Sequence, residues 1–124
     1  MTRIEASKDC GNSPKNQLLQ ELTIAVARAN RTKIVSILTS DVSWVSVGNK
    51  PVEGADAVAK ALTRYGPATK LVIEQVVSHG KAGAVNGVVT FGEKQRGFCH
   101  VFEFNSAKGT QVSGIKSYSA AIER

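Results

Sequence analysis

The stretch that decides the fold is Phe98-Cys99-His100-Val101-Phe102-Glu103-Phe104. Side chains of a β-strand alternate between its two faces, so a strand here turns its even-numbered residues one way and its odd-numbered residues the other. One face is therefore almost wholly aromatic, and His100 lies in its middle. An ionisable imidazole on a surface that should be buried is the most unusual feature of this sequence. We predict that this face lines a pocket.

Length and composition place this strand in an ordinary globular domain. The 124 residues are 42% hydrophobic and 21% charged, which is typical of a folded chain and not of a disordered one. We expect a flexible leader over residues 1–12 and a single domain over residues 13–124. No apolar run approaches the roughly 20 residues that span a bilayer, and no signal peptide is recognisable. The expectation is a cytoplasmic protein without membrane contact, in which Cys10 and Cys99 are free thiols.

The chain carries a formal net charge of +6, which raises the question of a polyanionic partner. Its lysines and arginines are scattered singly, without a run of like charge or a basic stripe that contains exposed aromatic side chains. Binding to phosphate backbones needs clustered positive charge. We therefore expect no nucleic-acid partner and interpret the excess of basic residues as a solvated surface.

Three helices are predicted before the aromatic strand. Ser13-Pro14 is an N-cap followed by proline at the first helical position, and apolar residues then recur every three or four positions to Ala29. A shorter helix, a strand and an alanine-rich third helix are predicted over residues 34–38, 42–47 and 53–65. Beyond Thr69 helical periodicity disappears. Four apolar runs with spacers short enough for hairpins follow, over residues 70–79, 83–91, 97–104 and 111–121.

The order of these elements predicts an α+β fold with three N-terminal helices, one strand inserted among them, packed on a strongly curved, mostly antiparallel sheet. Three local motifs are found along it: residues 34–42 leading into the strand at Trp44, residues 52–58 opening the third helix, and residues 100–104 with Tyr118 near the end of the last strand. In order and spacing, over about residues 14–122, they resemble the nuclear transport factor 2-like superfamily. That superfamily includes ketosteroid isomerase, scytalone dehydratase and SnoaL-like polyketide cyclases.

The resemblance implies a cone whose curved sheet and helices enclose a mostly apolar cavity. Pockets of this kind bind small ligands, so a small apolar molecule is the partner that the resemblance implies. The residues expected to face the cavity agree with the alternation along residues 98–104. They are Trp44, Ser46, Leu62, Tyr65, Phe98, His100 and Phe102.

The catalytic residues of ketosteroid isomerase are not matched. The aspartate that is the general base of that enzyme falls at about Ser46, whose hydroxyl does not remove a proton unaided at neutral pH. Its protonated oxyanion-hole aspartate falls at His100, and its oxyanion-hole tyrosine falls near Leu22. Since all three positions differ, that mechanism is not expected, although His100 could donate a hydrogen bond to an oxyanion.

Two interpretations of His100 stay open. It is either a core histidine whose ring nitrogens bond neighbours such as Trp44 or Tyr65, or a polar anchor, acid or base for a ligand. An enzyme of the dehydratase type would pair it with Asp41, the second candidate catalytic residue. Asp41 also has a structural interpretation, in which it caps the preceding helix and orients the loop. His79 is expected at the rim or exposed.

Other kinds of site are not supported by any motif. The sequence contains no glycine-rich dinucleotide loop, phosphate loop, zinc-protease motif or paired cysteines, and its two histidines and two cysteines are a poor metal set. We expect no cofactor and no metal. Three hypotheses remain: a small-molecule binding protein without turnover; an isomerase, dehydratase or cyclase acting on an apolar carbonyl compound; and a protein-interaction module.

The outer side of the sheet indicates self-association. Cys99 and Val101, together with Val88, Val72 and Val76, are expected on the convex face. Such a surface is too apolar to remain in water over a large area. Packing against a second copy would cover it, so we predict a homodimer through the convex sheet face.

Overall fold

The structure, a computed structural model, describes residues 1–6 and 13–122 of the chain. Seven strands and three helices are present among these residues. In chain order they are β1 (Arg3–Glu5), α1 (Pro14–Ala27), α2 (Arg31–Ile37), β2 (Leu38–Ser46), β3 (Val52–Glu53), α3 (Ala55–Leu62), β4 (Lys70–His79), β5 (Ala82–Phe91), β6 (Lys94–Phe104) and β7 (Val112–Ala121).

The strands form one seven-stranded sheet in the order β1-β4-β5-β6-β7-β2-β3. β1 is parallel to β4 and β2 is parallel to β7, and the other neighbours are antiparallel. The expected α+β class with a mostly antiparallel sheet is confirmed. The expected order of three N-terminal helices with one inserted strand differs, because β1 precedes the helices and two strands, β2 and β3, lie between α2 and α3.

Local signals explain where the helices begin and end. α1 begins after Ser13, whose Oγ accepts a hydrogen bond from the backbone N–H of Asn16 at 3.2 Å, as the sequence predicts. α2 continues directly into β2 at Leu38, so this strand is longer than expected. α3 is shorter than expected, because its first predicted residue pairs with β2 as part of β3 and Gly54, at φ +95°, turns the chain.

A β-bulge interrupts the pairing of β4 with β5. The register against β5 shifts between Ile73 and Gln75, and the facing residue is Gly87, where a Cβ would overlap the carbonyl oxygen of Val72. Bulges and strand glycines occur where a strand bends and another backbone approaches closely. The extra residue moves Val76 to the helix side of the sheet, where it packs against the core. The prediction that Val76 lies on the convex face is therefore wrong.

The core lies between the helices and the helix-facing side of the sheet, which we call the inner face; the opposite side is the outer face. Each fully buried aliphatic or aromatic side chain contributes about 1.5–3 kcal/mol to stability. Such residues come from all three helices and from five strands of the sheet. They include Leu19, Leu22, Ile34, Val58, Leu71, Val85, Phe104 and Val112.

Residues before α1 join the sheet. Arg3 faces Lys70 in the parallel pairing of β1 with β4. The buried Thr2 donates its hydroxyl hydrogen to the carbonyl oxygen of Ala68 at 2.7 Å. The expected leader of residues 1–12 thus contains a paired strand, whereas residues 7–12, which include Cys10, lie outside the described part of the chain.

Candidate functional site

The aromatic strand is placed as its alternation predicts. On β6, the side chains of Phe98, Phe102 and Phe104 are buried on the inner face, and Val101 on the outer face is 39% exposed. The His100 ring lies beside its two aromatic neighbours on the strand, with ring-centroid distances of 5.1 Å to Phe98 and 6.0 Å to Phe102. The imidazole is therefore flanked by aromatic rings along β6.

Two serines lie beside His100 on the neighbouring strands. Ser117 of β7 faces His100 directly, and Ser46 of β2 faces Ser117. On the other side, His100 faces Val85 of β5. The row across the inner face is therefore apolar on one side of the imidazole and carries hydroxyl groups on the other.

A short hydrogen-bond chain holds the imidazole. Nε1–H of Trp44 donates to Oγ of Ser117 at 2.8 Å, and the same oxygen lies 2.6 Å from Nδ1 of His100. The Ser117 oxygen already accepts a hydrogen bond from Trp44, and its own hydrogen also needs a partner. Ser117 therefore donates this hydrogen to Nδ1 of His100. We therefore assign the ring hydrogen to Nε2, which makes Nε2 a donor.

The other ring nitrogen of His100 is open. Within residues 1–6 and 13–122, Nε2 has no hydrogen-bond partner, and no fully buried side-chain nitrogen or oxygen there lacks one. Nε2 therefore reaches solvent-accessible surface. Desolvation by the surrounding protein lowers the pKa of His100 from 6.5 to about 4, because burial disfavours the charged form. At neutral pH the ring is thus an uncharged hydrogen-bond donor.

The segment after α3 lies against the same face. The Arg64 guanidinium lies 5.5 Å from the ring centroid of Trp44 and 4.5 Å from that of Tyr65. The Tyr65 ring contacts Phe91 edge-on at 6.0 Å but is 70% exposed. Leu62 packs against the core. Of the residues expected to line a cavity, Trp44 therefore lies in the interior and Tyr65 at the surface.

The two candidate catalytic residues are not neighbours. Asp41 is exposed on β2 and accepts a hydrogen bond from the Thr39 hydroxyl at 2.8 Å. It lies in the part of β2 where the register against β7 shifts, and it precedes Ser46, the β2 residue in the row of His100, by five positions. The local bond to Thr39 agrees with the structural interpretation of Asp41. His79 is exposed at the end of β4.

An open groove of about 760 Å³ lies away from the aromatic face. It runs between α2, β2, β3 and the beginning of α3, and its lining includes the carboxylates of Glu53 and Asp56 and the amide of Gln111. None of the residues expected to line the cavity borders this groove. The groove and the surroundings of His100 are therefore separate features.

Three site residues carry no recognisable signal in the sequence. Ser117 joins Trp44 to His100, but a hydroxyl on the last strand looks like any alternating polar residue. The same holds for Arg64 and for Arg96, whose Nη2 donates to Oγ of a serine on β7 at 3.0 Å. Only the register of β6 against β7 and the path of the chain after α3 bring these residues to the aromatic face.

Two further properties of the described residues bear on function. Within residues 1–6 and 13–122, no group of three or more His, Cys, Asp or Glu side chains is arranged to hold a metal ion. No helix in that part of the chain is long and apolar enough to cross a membrane.

Known proteins resemble this chain in structure but not in sequence. No family model and no curated protein matches the sequence. An NTF2-like protein of unknown function from Burkholderia xenovorans LB400 has a TM-score of 0.77 at 11% identity, and the match covers 89% of this chain and 85% of that one. A Kribbella flavida protein, provisionally described as a ketosteroid isomerase, has a TM-score of 0.74 at 15% identity over 96% and 85% of the two chains.

An LEH-like epoxide hydrolase from Mycobacterium tuberculosis is a third solved structure with the same architecture. Its TM-score is 0.68 at 18% identity, and the match covers 86% of this chain and 82% of that one. At these identities the likeness establishes the fold alone.

Proposed function

Because the chain has the NTF2-like fold, we propose that it binds a small, largely apolar ligand in a cavity on the inner face of the sheet, beside His100. The observation that carries the proposal is the state of the His100 ring. Its Nδ1 is engaged by Ser117, while Nε2 has no partner among the described residues. A neutral donor that faces accessible space among aromatic rings is suited to orient a ligand in an apolar pocket.

The burial and the accessibility of His100 together support a recess in the protein. The atoms around the ring are close enough to lower its pKa to about 4. The residue nevertheless keeps part of its surface accessible. A recess accounts for both.

Each cavity residue has a role in this proposal. Phe98 and Phe102 supply apolar walls on either side of the imidazole, and Trp44 covers the row of hydroxyl groups next to it. Leu62 contributes an aliphatic wall from α3 and packs against the core. Ser46 adds a second hydroxyl, and the mostly exposed Tyr65 borders the opening.

Catalysis is the alternative function for the same site. Two structural neighbours are described as an epoxide hydrolase and, provisionally, a ketosteroid isomerase, so an isomerase, dehydratase or cyclase acting on an apolar carbonyl compound stays under consideration. We favour binding because Asp41, the second candidate catalytic residue, is exposed and hydrogen-bonded to Thr39, five positions along β2 from the residue in the His100 row. An imidazole with a pKa of about 4 is also a weak general base.

Trp44 provides the test, because it is the only tryptophan in the chain. We expect its fluorescence to change saturably when 2-octanone, cyclohexanone or 1-octanol is added at micromolar to millimolar concentration. His100→Leu is expected to weaken binding of the ketones about five- to tenfold, because the Nε2–H donor is lost. His79→Leu, the same change at an exposed histidine, should leave the affinities unchanged. A flat fluorescence signal with every compound would contradict the proposal.

We further propose that two copies associate through the outer face of the sheet. Val77, Val101 and Tyr118 are 57%, 39% and 46% exposed on this face, on strands β4, β6 and β7. In register, Cys99 faces Tyr118, so the apolar surface continues between these strands. Contiguous exposed apolar surface marks an interaction site. A second copy presents the same residues, which suits an interface with twofold symmetry.

Sedimentation analysis at micromolar concentration tests this association. The wild-type chain is expected to have the mass of two chains, and Val101→Glu to have the mass of one, since it places charge in the interface. Thr32→Glu adds the same charge at an exposed position of α2 and should leave the dimer intact. A wild-type mass of one chain would contradict the homodimer. The exposed apolar residues of the outer face would then favour the third hypothesis, in which this face binds a different protein.

The unpaired thiol of Cys99 bears on the cellular compartment of the protein. Cys99 is a half-buried, unpaired cysteine on the outer face. Reduced thiols are typical of the cytoplasm, whereas secreted proteins usually form disulfides. A cytoplasmic location, expected from the sequence, is therefore part of the proposal.

A further inference from the structure

Two arginines border the aromatic face, and the first is Arg96 near the beginning of β6. Arg96 lies two residues before Phe98 on β6, so its side chain projects from the inner face, on the same side as Phe98 and His100. Its Nη2 donates to Oγ of Ser119 at 3.0 Å. Ser119 follows Ser117 by two residues on the same face of β7, at a distance of about 7 Å along the strand. Arg96 therefore bonds the hydroxyl of Ser119, which is next on this face of β7 to Ser117, the partner of His100.

Arg64, which follows the end of α3, contacts the Trp44 side of the same site. Its Nη1 donates to the carbonyl oxygen of Ala61 at 2.7 Å, and its guanidinium lies over the rings of Trp44 and Tyr65. Contacts with two rings and a backbone hydrogen bond restrict a side chain that is otherwise flexible. Trp44 in turn donates to Ser117. The Arg64 guanidinium therefore covers the Trp44 ring, and Trp44 is hydrogen-bonded to Ser117, the partner of His100.

Neither arginine has a carboxylate partner within residues 1–6 and 13–122. The ion pairs in that part of the chain join Lys33 to Glu21 and Lys70 to Glu5. A guanidinium carries five N–H donors, and the hydrogen bonds described above use one donor of each arginine. Carboxylates match the planar donor geometry of a guanidinium, often through two parallel hydrogen bonds. The border of the aromatic face is thus positively charged and rich in free donors.

We infer that the ligand of this site is an amphipathic carboxylate, with its apolar body against Phe98 and Phe102 and its anionic group at the border formed by Arg64 and Arg96. The inference rests on the proposed function, because it names the ligand class of the same cavity. The net charge of +6 adds a long-range attraction for an anion. A neutral ligand would leave both guanidinium groups without an ionic partner.

The test compares ligands that differ in charge and share a chain length. Hexanoate, octanoate and decanoate are titrated against the corresponding 1-alcohols by calorimetry, at about pH 7.5 and low salt. The wild-type protein is expected to bind each carboxylate about tenfold more tightly than its alcohol, because charge-assisted hydrogen bonds strengthen binding. Added sodium chloride should reduce this preference by screening the charges at the border.

Substitutions of the two arginines test whether they cause the preference for a carboxylate over its alcohol. Arg64→Gln and Arg96→Gln are each expected to reduce the preference for a carboxylate over its alcohol, and the double variant should bind both alike. Lys81→Gln removes the same charge at the exposed turn between β4 and β5 and should keep the wild-type preference.

Each contrary result has a separate meaning. Equal affinities in the wild-type protein, or a preference that survives in the double variant, would overturn the anionic ligand and leave the apolar cavity standing. Loss of alcohol binding in the double variant would overturn the carboxylate role by showing that the arginines support the pocket itself. If no carboxylate and no alcohol binds, the proposed function is contradicted and the inference falls with it.

Discussion

Acidification is expected to destabilise the fold through His100. The imidazole has a pKa of about 4 in the folded chain, against 6.5 for an unperturbed histidine. Because the folded pKa is the lower one, the unfolded chain takes up the proton first as the pH falls from 6.5 to 4, and stability is lost across that window. At about 1.4 kcal/mol per pKa unit, the full loss is about 3 kcal/mol. Most of it, between about 2 and 3 kcal/mol, is lost by about pH 4.5.

Urea unfolding of the wild-type chain and of His100→Gln, at about pH 7 and about pH 4.5, measures this loss. Glutamine does not titrate, and its amide oxygen can accept the hydrogen bond from Ser117. The carboxylates titrate in both chains, so the difference between the two pH dependences isolates His100. The wild-type chain should lose about 2 to 3 kcal/mol more than the variant.

Parallel losses of stability in the wild-type chain and in His100→Gln would refute this reasoning. That result would mean that bulk water solvates the protonated ring in the folded state as well as in the unfolded one. The imidazole would then lie on an open surface, and the argument for an enclosed site beside it would fail.

Two further changes test, by urea unfolding, the hydrogen-bond chain at the site and the close approach of β4 and β5. Ser117→Ala leaves Nε1–H of Trp44 and Nδ1 of His100 without their shared oxygen, so the free energy of unfolding should fall by about 1–3 kcal/mol; unchanged stability would contradict the hydrogen-bond chain. Gly87→Ala places a Cβ against the backbone of β4 and should destabilise strongly, whereas Gly97→Ala meets nothing within 4 Å and should be tolerated. Similar effects of the two alanines would contradict the close approach of β4 and β5.

The features that sequence reasoning captured depend on short-range periodicity. The alternation along β6 places Phe98 and Phe102 on the inner face because strand geometry has a period of two. The N-cap at Ser13 is local chemistry and is found where it was predicted. The four C-terminal strands were bounded to within a few residues, since their turns contain glycine and polar residues.

The features that it missed depend on register and on contacts far apart in the chain. The partner of His100 could not be predicted, because the pairing with Ser117 depends on a register shift at the end of β6 as well as on the alternation. The bulge at Ile73 and Gln75 reverses the side of Val76, and nothing in the apolar run marks it. The stacking of Arg64 depends on where the chain leaves α3, since an arginine after a helix is ordinarily a solvated residue.

A nuclear magnetic resonance titration with 1-octanol tests whether the His100 ring faces a recess that a small molecule can enter. The titration follows the imidazole nitrogens of both histidines and the indole Nε1–H of Trp44. We predict saturable shifts for Nε2 of His100 and for the indole, with His79 unmoved as the internal reference. Binding that saturates while the His100 signals stay in place would contradict the claim.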